Sequence, residues 1–161
     1  MNAVVRVGQP EDFVGLDERA AETILESFDH PDLTAAGRAE NRRIVAMTQQ
    51  SCLAAAEDPD CEVFIATVSE RLAGFVIVAA ETEPHSEIDT FIVFREFQGC
   101  GVAHKLMVAA LEWLGENSVQ LGVIHHNARA LVFYKKYGFT DTGRMIEGHE
   151  IPRKLMVRRV Q

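Results

Sequence analysis

Residues 94–107 read FREFQGCGVAHKLM and contain two glycines, Gly99 and Gly101, with one residue between them. The apolar run FIVF at residues 91–94 leads into them, and apolar side chains recur at helical spacing after them. This pattern predicts a strand, a glycine-rich turn and a helix, in that order. The first N–H groups of a helix have no partner within it and carry partial positive charge, so such a turn is a typical phosphate-binding site. The spacing of the neighbouring residues distinguishes the protein classes that use it.

Two classes of nucleotide-binding turn do not fit this spacing. A Walker A loop requires a lysine and a hydroxyl residue after its last glycine, whereas Val102 and Ala103 follow Gly101. A dinucleotide-binding turn requires a glycine or alanine where His104 stands, and an acidic residue at the end of the next strand. That strand, VQLGVI at residues 119–124, does not end in one. Both classes are therefore disfavoured.

A third pattern, R/Q-x-x-G-x-G/A, is matched at every place by Gln98, Gly101 and Ala103. A second signature lies in NARALVFYKKYGF, residues 127–139, where an asparagine is followed at fixed distances by an alanine, a tyrosine and a Gly-Phe pair. Its matching residues are Asn127, Ala130, Tyr134, Gly138 and Phe139. Together the two signatures resemble those of the GCN5-related N-acetyltransferase (GNAT) superfamily. The resemblance is strongest over residues 87–139, and the order of the predicted elements extends it over nearly the whole chain.

Hydrophobic periodicity predicts one domain over residues 1–161 with the element order β-α-α-β-β-β-α-β-α-β-β. This is an α/β (α+β) fold, and the resemblance implies the GNAT fold with a mixed central sheet of about seven strands. Strands are predicted at residues 3–7, 86–94, 119–124, 139–147 and 152–160, a hairpin at 61–81, and helices at 10–28, 34–56, 101–116 and 128–137. The strands on either side of the 101–116 helix form a β-α-β unit and are expected to be parallel.

Two segments carry more detailed expectations. Thr34 is predicted to be the N-cap of one continuous helix that runs to Ala56 with Met47 on its inner face. Glu70 and Arg71 are predicted to form the turn of the hairpin.

The composition disfavours several function classes. A formal net charge of -8 and a pI of about 5.2 disfavour nucleic-acid binding, which requires a basic surface. No apolar run approaches the roughly 20 residues of a membrane-spanning helix, and the first residues lack the features of a signal peptide, so we expect a cytoplasmic protein. The cysteines, Cys52, Cys61 and Cys100, form no C-x-x-C pair, so neither a disulfide framework nor a metal site is expected.

The glycine-rich turn is the predicted binding site for the pyrophosphate of coenzyme A, which would arrive as acetyl-CoA. The glycines let the backbone approach a phosphate without a Cβ in the way, so that several N–H groups donate to it at once. The alternative is a turn that only reverses the chain. The predicted donors run through Gly99, Cys100, Gly101, Val102, Ala103 and His104, and Gln98 is expected to brace the loop.

The resemblance also implies where the rest of the coenzyme lies. The exposed backbone of Phe91, Ile92 and Val93 would pair with the pantetheine arm as if it were an added strand. Asn127 would hydrogen-bond the arm, and its side chain is also a favoured N-cap for the helix that follows. Tyr134 lies two helical turns after Asn127 and therefore on the same face. By resemblance, its hydroxyl would give a proton to the departing thiolate.

A carboxylate on the strand before the loop would accept the proton of the amine. Glu87 matches, by spacing, the glutamate that histone-type members use as a base, and Asp89 is its competitor. Because side chains alternate along a strand, both are expected to share one face with Phe91. His125 and His126 follow the next strand and offer an alternative proton relay.

The resemblance implies transfer of the acetyl group to a primary amine by direct attack in a ternary complex, without a metal. Acidic residues in two loops, Asp29 and Asp32 in one and Glu81 and Glu83 in the other, would form an acidic mouth for a cationic small-molecule or peptide amine. Ordinary solvated surface charge is the alternative. Some ribosomal-protein-type members place a glutamate where this chain has Gly122. A homodimer fits the family, and the alternative function is a catalytically degenerate acyl-CoA-binding or regulatory module of the same fold.

Overall fold

A computed structural model describes residues 2–80 and 84–160. The strands are β1 (Ala3–Val7), β2 (Cys61–Val68), β3 (Arg71–Ala79), β4 (Ser86–Val93), β5 (Val119–Ile124), β6 (Thr140–Ile146) and β7 (Arg153–Arg158). The helices are α1 (Leu16–Phe28), α2 (Ala35–Ala46), α3 (Thr48–Glu57), α4 (Val102–Leu114) and α5 (Ala128–Lys135). None of the helices described is long and apolar enough to cross a membrane.

The described strands form one mixed sheet in the order β1-β2-β3-β4-β5-β7-β6. Neighbouring strands are antiparallel except β4 and β5, which are parallel. Helix α4 connects these two strands, so the predicted β-α-β unit is confirmed, as are the α/β class and the seven-stranded mixed sheet. The element order differs from the prediction by one additional helix, α3.

Helices cover both faces of the sheet. A Cβ on Gly74 of β3 would lie 3.4 Å from Leu106 Cδ1, so α4 packs on that face. The neighbouring Phe75 points to the opposite face together with its partner Ile65 on β2. On that face the side chains of Ile65 and Phe13 converge on Gly8, and α1 and α3 pack against the sheet. The side chains of Phe13, Ile65, Phe75 and Leu106 are fully buried, so the core has one apolar layer on each side of the sheet.

The helix predicted over residues 34–56 is interrupted at Met47. This residue is 48% exposed, α2 ends before it and α3 begins at Thr48. The Gln49 N–H donates to the Asp17 carboxylate of α1 at 2.7 Å, which satisfies one of the unpaired donors at the start of α3. The prediction of a continuous helix with Met47 facing inward is therefore wrong, because a carboxylate from a distant helix stabilises a second helix start.

Two other predicted boundaries, the hairpin turn and the start of the first helix, also differ from the structure. Ser69 and Glu70, with φ of 50° and 65°, form the hairpin turn, and Arg71 is already the first residue of β3. Two consecutive residues in the left-handed region suit the twist of a tight hairpin. The helix predicted from residue 10 begins as a short 3-10 turn, and α1 starts only after Gly15, whose φ of +75° is incompatible with a helix.

Candidate functional site

The sheet opens between β4 and β5. Ladder pairs join these strands only at Ser86–Val119 and Glu87–Gln120. Beyond these pairs the strands diverge, so the edge of β4 that faces β5 has no strand partner in the described part of the chain. Residues 91–93, whose backbone is predicted to bind the pantetheine arm, lie on this edge. An unpaired edge of this kind is a template for an extended ligand.

Two cavities flank the gap. The loop cavity, of about 790 Å³, is lined by the glycine-rich loop and α5. The helix cavity, of about 700 Å³, is lined by α1, α2 and α3 together with β4, β5 and β7. Both include Phe91, Asn127, Ala130 and Tyr134 in their walls. A molecule lying in the gap would therefore reach from the loop, past Tyr134, to a second compartment under the helices.

The glycine-rich loop presents backbone N–H groups to the loop cavity. Gly99 and Gly101 have φ of +84° and +79°, conformations that favour glycine, and a Cβ on either would meet nothing within 4 Å. Gly101 precedes α4, whose first turn has no side-chain cap. The Cys100 N–H differs, because it donates to the Phe97 carbonyl at 3.3 Å. Within the described residues, the open donors are those of Gly99, Gly101 and the first turn of α4.

Gln98 lies at the entrance to this loop. Its Nε2 donates to the Val93 carbonyl at 3.2 Å, and its Oε1 accepts a hydrogen bond of 3.4 Å from Arg129. These bonds connect the end of β4, the loop and the start of α5. They give Gln98 the geometry of a brace for the loop.

Asn127 is the N-cap of α5. Its Oδ1 accepts a hydrogen bond from the Ala130 N–H at 3.1 Å, which confirms the predicted cap. The side-chain amide nitrogen of Asn127 has no partner among the described residues. Because Asn127 lines both cavities, this donor is available to a ligand in the gap.

The ring of Tyr134 lies between α5 and the strand β4. It packs edge-on against Phe91 at 6.2 Å and against Phe139 at 5.9 Å between ring centroids. Within the described chain no group hydrogen-bonds its hydroxyl. Burial raises the pKa of Tyr134, so the phenol keeps its proton well above neutral pH.

A bulge at Asp89 changes which side chains of β4 share a face. Ile77 and Val78 are adjacent on β3, but their partners on β4 are two residues apart, and Asp89 stands between those partners unpaired. An extra residue reverses the alternation of side chains beyond it. Glu87 therefore points to the opposite face from Phe91. The predicted common face for the carboxylates and Phe91 is wrong for this reason.

The two carboxylates have different surroundings. Asp89 lines the helix cavity, whereas Glu87 lines neither of the two cavities. Glu87 accepts a hydrogen bond from Gln120 Nε2 at 3.3 Å. Burial raises the pKa of Glu87, and the charge of Asp89 acts in the same direction. Of the two predicted candidates, Asp89 is the one that faces a space a substrate can enter.

The histidine pair after β5 lies beside a third histidine. The ring of His126 is 4.6 Å from that of His30, its Nε2 is buried without a partner in the described chain, and it lines the loop cavity. Burial lowers the pKa of His126, and the charges of His30 and His125 lower it further. The residues described contain no group of three His, Cys, Asp or Glu side chains able to hold a metal ion.

A charged cluster in the helix cavity is absent from the sequence predictions. Glu40 of α2 accepts two hydrogen bonds of 2.6 Å, from His149 Nδ1 and from the Glu150 N–H. Arg153 of β7 lies beside it and also lines the cavity. Burial alone would raise the pKa of Glu40, but the bonds from His149 and Glu150 lower it below its ordinary value. The cluster joins residues more than a hundred positions apart, and no local pattern marks them.

The half of the predicted acidic mouth that the structure describes does not face either cavity. Asp29 and Asp32 are exposed and line neither cavity. Glu81 and Glu83 lie outside the described residues. The charged side chains that do line the helix cavity are Asp89 and the Glu40 cluster, together with Arg43.

Comparison with known proteins identifies one family. The model of the acetyltransferase (GNAT) family matches residues 18–139. An uncharacterised N-acetyltransferase of Mycobacterium tuberculosis is 31% identical over 90 residues, which are 53% of this chain and 57% of that protein. A relative of the same description in Mycobacterium bovis matches with the same figures. The chain thus spans little more than half the length of these curated relatives.

Solved structures of the same fold align over nearly the whole chain. Ard1 from Thermoplasma volcanium has a TM-score of 0.75 at 24% identity and covers 100% of this chain and 99% of its own. The PaiA N-acetyltransferase from Thermoplasma acidophilum, solved in complex with coenzyme A, has a TM-score of 0.73 at 16% identity, with 99% of each chain covered. At these identities the likeness establishes the fold and does not identify a substrate.

Proposed function

Since the chain belongs to the acetyltransferase (GNAT) family, we propose that it is an acetyl-CoA-dependent N-acetyltransferase that acts on a primary amine by direct attack in a ternary complex. The observation that carries this proposal is the divergence of β4 and β5 in front of the uncapped N–H groups of the glycine-rich loop. That arrangement places an anion-binding site next to an unpaired strand edge. Coenzyme A needs both, because its pyrophosphate is followed by an extended arm with amide groups.

The chain's own groups would hold the coenzyme along this line. The N–H groups of Gly99, Gly101 and the first turn of α4 donate to the pyrophosphate, aided by the positive end of the helix. The backbone of residues 91–93 pairs with the pantetheine amides, and the Asn127 side-chain amide donates to a carbonyl of the arm. The thioester then lies beside Tyr134, where the two cavities meet.

Starting from the ammonium form, the nitrogen must lose two protons and the leaving sulfur must gain one. Asp89, directly or through water, takes the first proton from the ammonium form of the acceptor, and the free amine attacks the thioester carbonyl carbon. A C–N bond forms, the nitrogen of the tetrahedral intermediate passes its second proton to water, and the C–S bond breaks. Tyr134 gives its proton to the leaving thiolate and regains one from solvent. Its raised pKa keeps it in the proton-donating form at neutral pH, and positioning supplies much of the remaining rate.

A turnover screen tests this proposal. Purified protein, acetyl-CoA and amines of several classes are combined, and release of free coenzyme A thiol is followed. The proposal expects thiol release that depends on both the amine and the protein. Association of coenzyme A without turnover of any amine would instead indicate the acyl-CoA-binding module.

A further inference from the structure

The stem of Arg153 passes beside Gly122 of β5 into the helix cavity. A Cβ on Gly122 would lie 3.7 Å from Arg153 Cβ and 3.8 Å from its Cδ, which are ordinary contact distances, but only 2.7 Å from Ile146 Cδ1. Glycine at 122 therefore leaves room for Ile146, and the arginine stem packs beside it. The guanidinium carbon of Arg153 lies 5.4 Å from the centre of the Phe28 ring, on the cavity wall.

The guanidinium presents an unused pair of donors. Nε and Nη2 of Arg153 are buried and have no hydrogen-bond partner among the described residues. These two nitrogens form one edge of the planar group, the edge that holds a carboxylate through two parallel hydrogen bonds. Buried donors without an acceptor are costly, so the site is incomplete without an anion or a comparable acceptor.

Glu40 does not fill this role. Its nearest oxygen lies 3.9 Å from Arg153 Nη2, too far for a hydrogen bond. Both of its oxygens are held by shorter bonds, from His149 and from the Glu150 N–H, each 2.6 Å long. Glu40 therefore offsets part of the charge of Arg153 while the donor edge stays available.

The same cavity contains a negative group and an apolar wall. Asp89 lines it, and its charge reaches Arg153: burial lowers the pKa of this arginine, while Glu40 and Asp89 act to raise it. Apolar side chains line much of the same cavity; they include Ile24, Phe28, Ile44, Ile77 and Leu121. A cavity with an anion-binding edge, a carboxylate and an apolar wall is complementary to a zwitterion with an apolar side chain.

We infer that the acceptor is an amino acid with an apolar side chain, whose carboxylate binds the Nε and Nη2 edge of Arg153 while its amine faces Asp89. This inference rests on the proposed function and narrows it. It replaces the cationic acceptor expected from the sequence. A peptide N-terminus has an amide in place of the carboxylate and lacks the charge that Arg153 recognises.

Matched acceptors test the inference. L-leucine, L-leucinamide and 3-methylbutylamine share one side chain and differ only in the group that Arg153 would bind; phenylalanine, its amide and 2-phenylethylamine form a second set. We expect kcat/KM for each acid to exceed that for its amide and its simple amine by about tenfold to a hundredfold. The amine of the amide is less basic than that of the acid, so more of it is unprotonated at neutral pH, and this difference works against the acid in the comparison with its amide.

Variants at neighbouring positions complete the test. Arg153→Met should remove the preference for the acids, and Arg153→Lys, which keeps the charge but not the two-donor edge, should retain part of it. Lys154→Met is the matched control, because Lys154 points to Asp141 on the surface, and it should keep the full preference. If Arg153→Met does not fold, Arg153→Lys decides: an undiminished preference in that variant contradicts the two-donor contact.

The outcomes separate the inference from the proposed function. Acetylation of amides or simple amines at rates equal to or above those of the acids overturns the inference and leaves the acetyltransferase proposal standing. Failure to acetylate any acid also overturns it. Failure of the protein to bind coenzyme A in calorimetry would remove the proposed function itself.

Discussion

The backbone of Phe139 closes the helix that carries Tyr134. The Phe139 N–H donates to the Tyr134 carbonyl at 3.3 Å, and the Gly138 N–H donates to the Lys135 carbonyl at 3.1 Å. With Gly138 at φ +90°, these are the paired bonds of a Schellman motif, and the rings of Tyr134 and Phe139 make its apolar contact at 5.9 Å. The tyrosine, glycine and phenylalanine of the second signature thus have two structural roles. They end α5, and they hold the ring of Tyr134 in place.

Phe139→Ala should destabilise the protein by about 3–5 kcal/mol, because it empties a fully buried aromatic site. It should also lower kcat, since the Tyr134 ring loses its packing partner. Chemical denaturation measures the first effect and steady-state kinetics the second. Phe139→Leu keeps most of the volume and should retain most of the stability. A loss below about 1 kcal/mol in Phe139→Ala would contradict the packing described.

Tyr134→Phe should lower kcat by about a hundredfold or more while the affinity for coenzyme A changes little. The substitution keeps the ring and its contacts and removes only the proton donor. Burial raises the pKa of Tyr134 above its ordinary value. Deprotonation of Tyr134 should therefore not lower the kcat of the wild-type protein near pH 10. An unchanged kcat in Tyr134→Phe would remove the proton-donor role.

Gly101→Ala should weaken coenzyme A binding, because the new Cβ occupies the open space above the loop. Gly143→Ala on β6 is its matched control: the two glycines have φ of +79° and +78°, and a Cβ on either would meet no atom within 4 Å. Both substitutions should cost about 1–2 kcal/mol of stability through the left-handed backbone. Equal coenzyme A affinities for the two variants, measured by calorimetry, would contradict a pyrophosphate site at the loop.

Asp89→Asn should lower kcat/KM more than Glu87→Gln does, because only Asp89 of the two lines the cavity that the acceptor would enter. Glu87→Gln keeps the partner of Gln120 and removes a carboxyl whose pKa is raised by burial. A larger loss in Glu87→Gln would assign the base to that residue.

Glu40→Gln should reduce the free energy of unfolding at neutral pH by about 1–3 kcal/mol, because it weakens charge-assisted bonds to His149 and Glu150. The folded-state pKa of Glu40 lies below its unfolded value, so its contribution is complete above the unfolded pKa and disappears as the pH falls through the folded one. The free energies of unfolding of the wild-type protein and of Glu40→Gln, measured by chemical denaturation, should therefore become equal at acid pH. A stability difference that does not depend on pH would contradict this account.

Local spacing made part of this structure predictable. The cap of α2 is confirmed, since Thr34 Oγ1 accepts a hydrogen bond from the Gly37 N–H at 3.0 Å. The parallel pairing of β4 and β5 follows from the helical crossover that connects them. Such features depend on residues that one helix or one connection brings into contact.

The remaining features depend on residues that the whole fold brings together. Asp17 caps α3 across 32 positions, and Glu40 meets His149 across 109. The bulge at Asp89 reflects pairing with β3, which alternation along a single strand does not reveal. The donor edge of Arg153 shares a cavity with Asp89 of β4 and Phe28 of α1, and no pattern along β7 reveals this.

Calorimetric titration of coenzyme A, set against pantetheine, tests the central claim most directly. Pantetheine has the extended arm and the thiol but no pyrophosphate. We predict saturable one-site binding of coenzyme A to the wild-type protein and an affinity for pantetheine that is lower by at least about tenfold. Absence of binding heat with coenzyme A on folded protein, or equal affinities for the two ligands, would contradict a site built on the N–H groups of the glycine-rich loop.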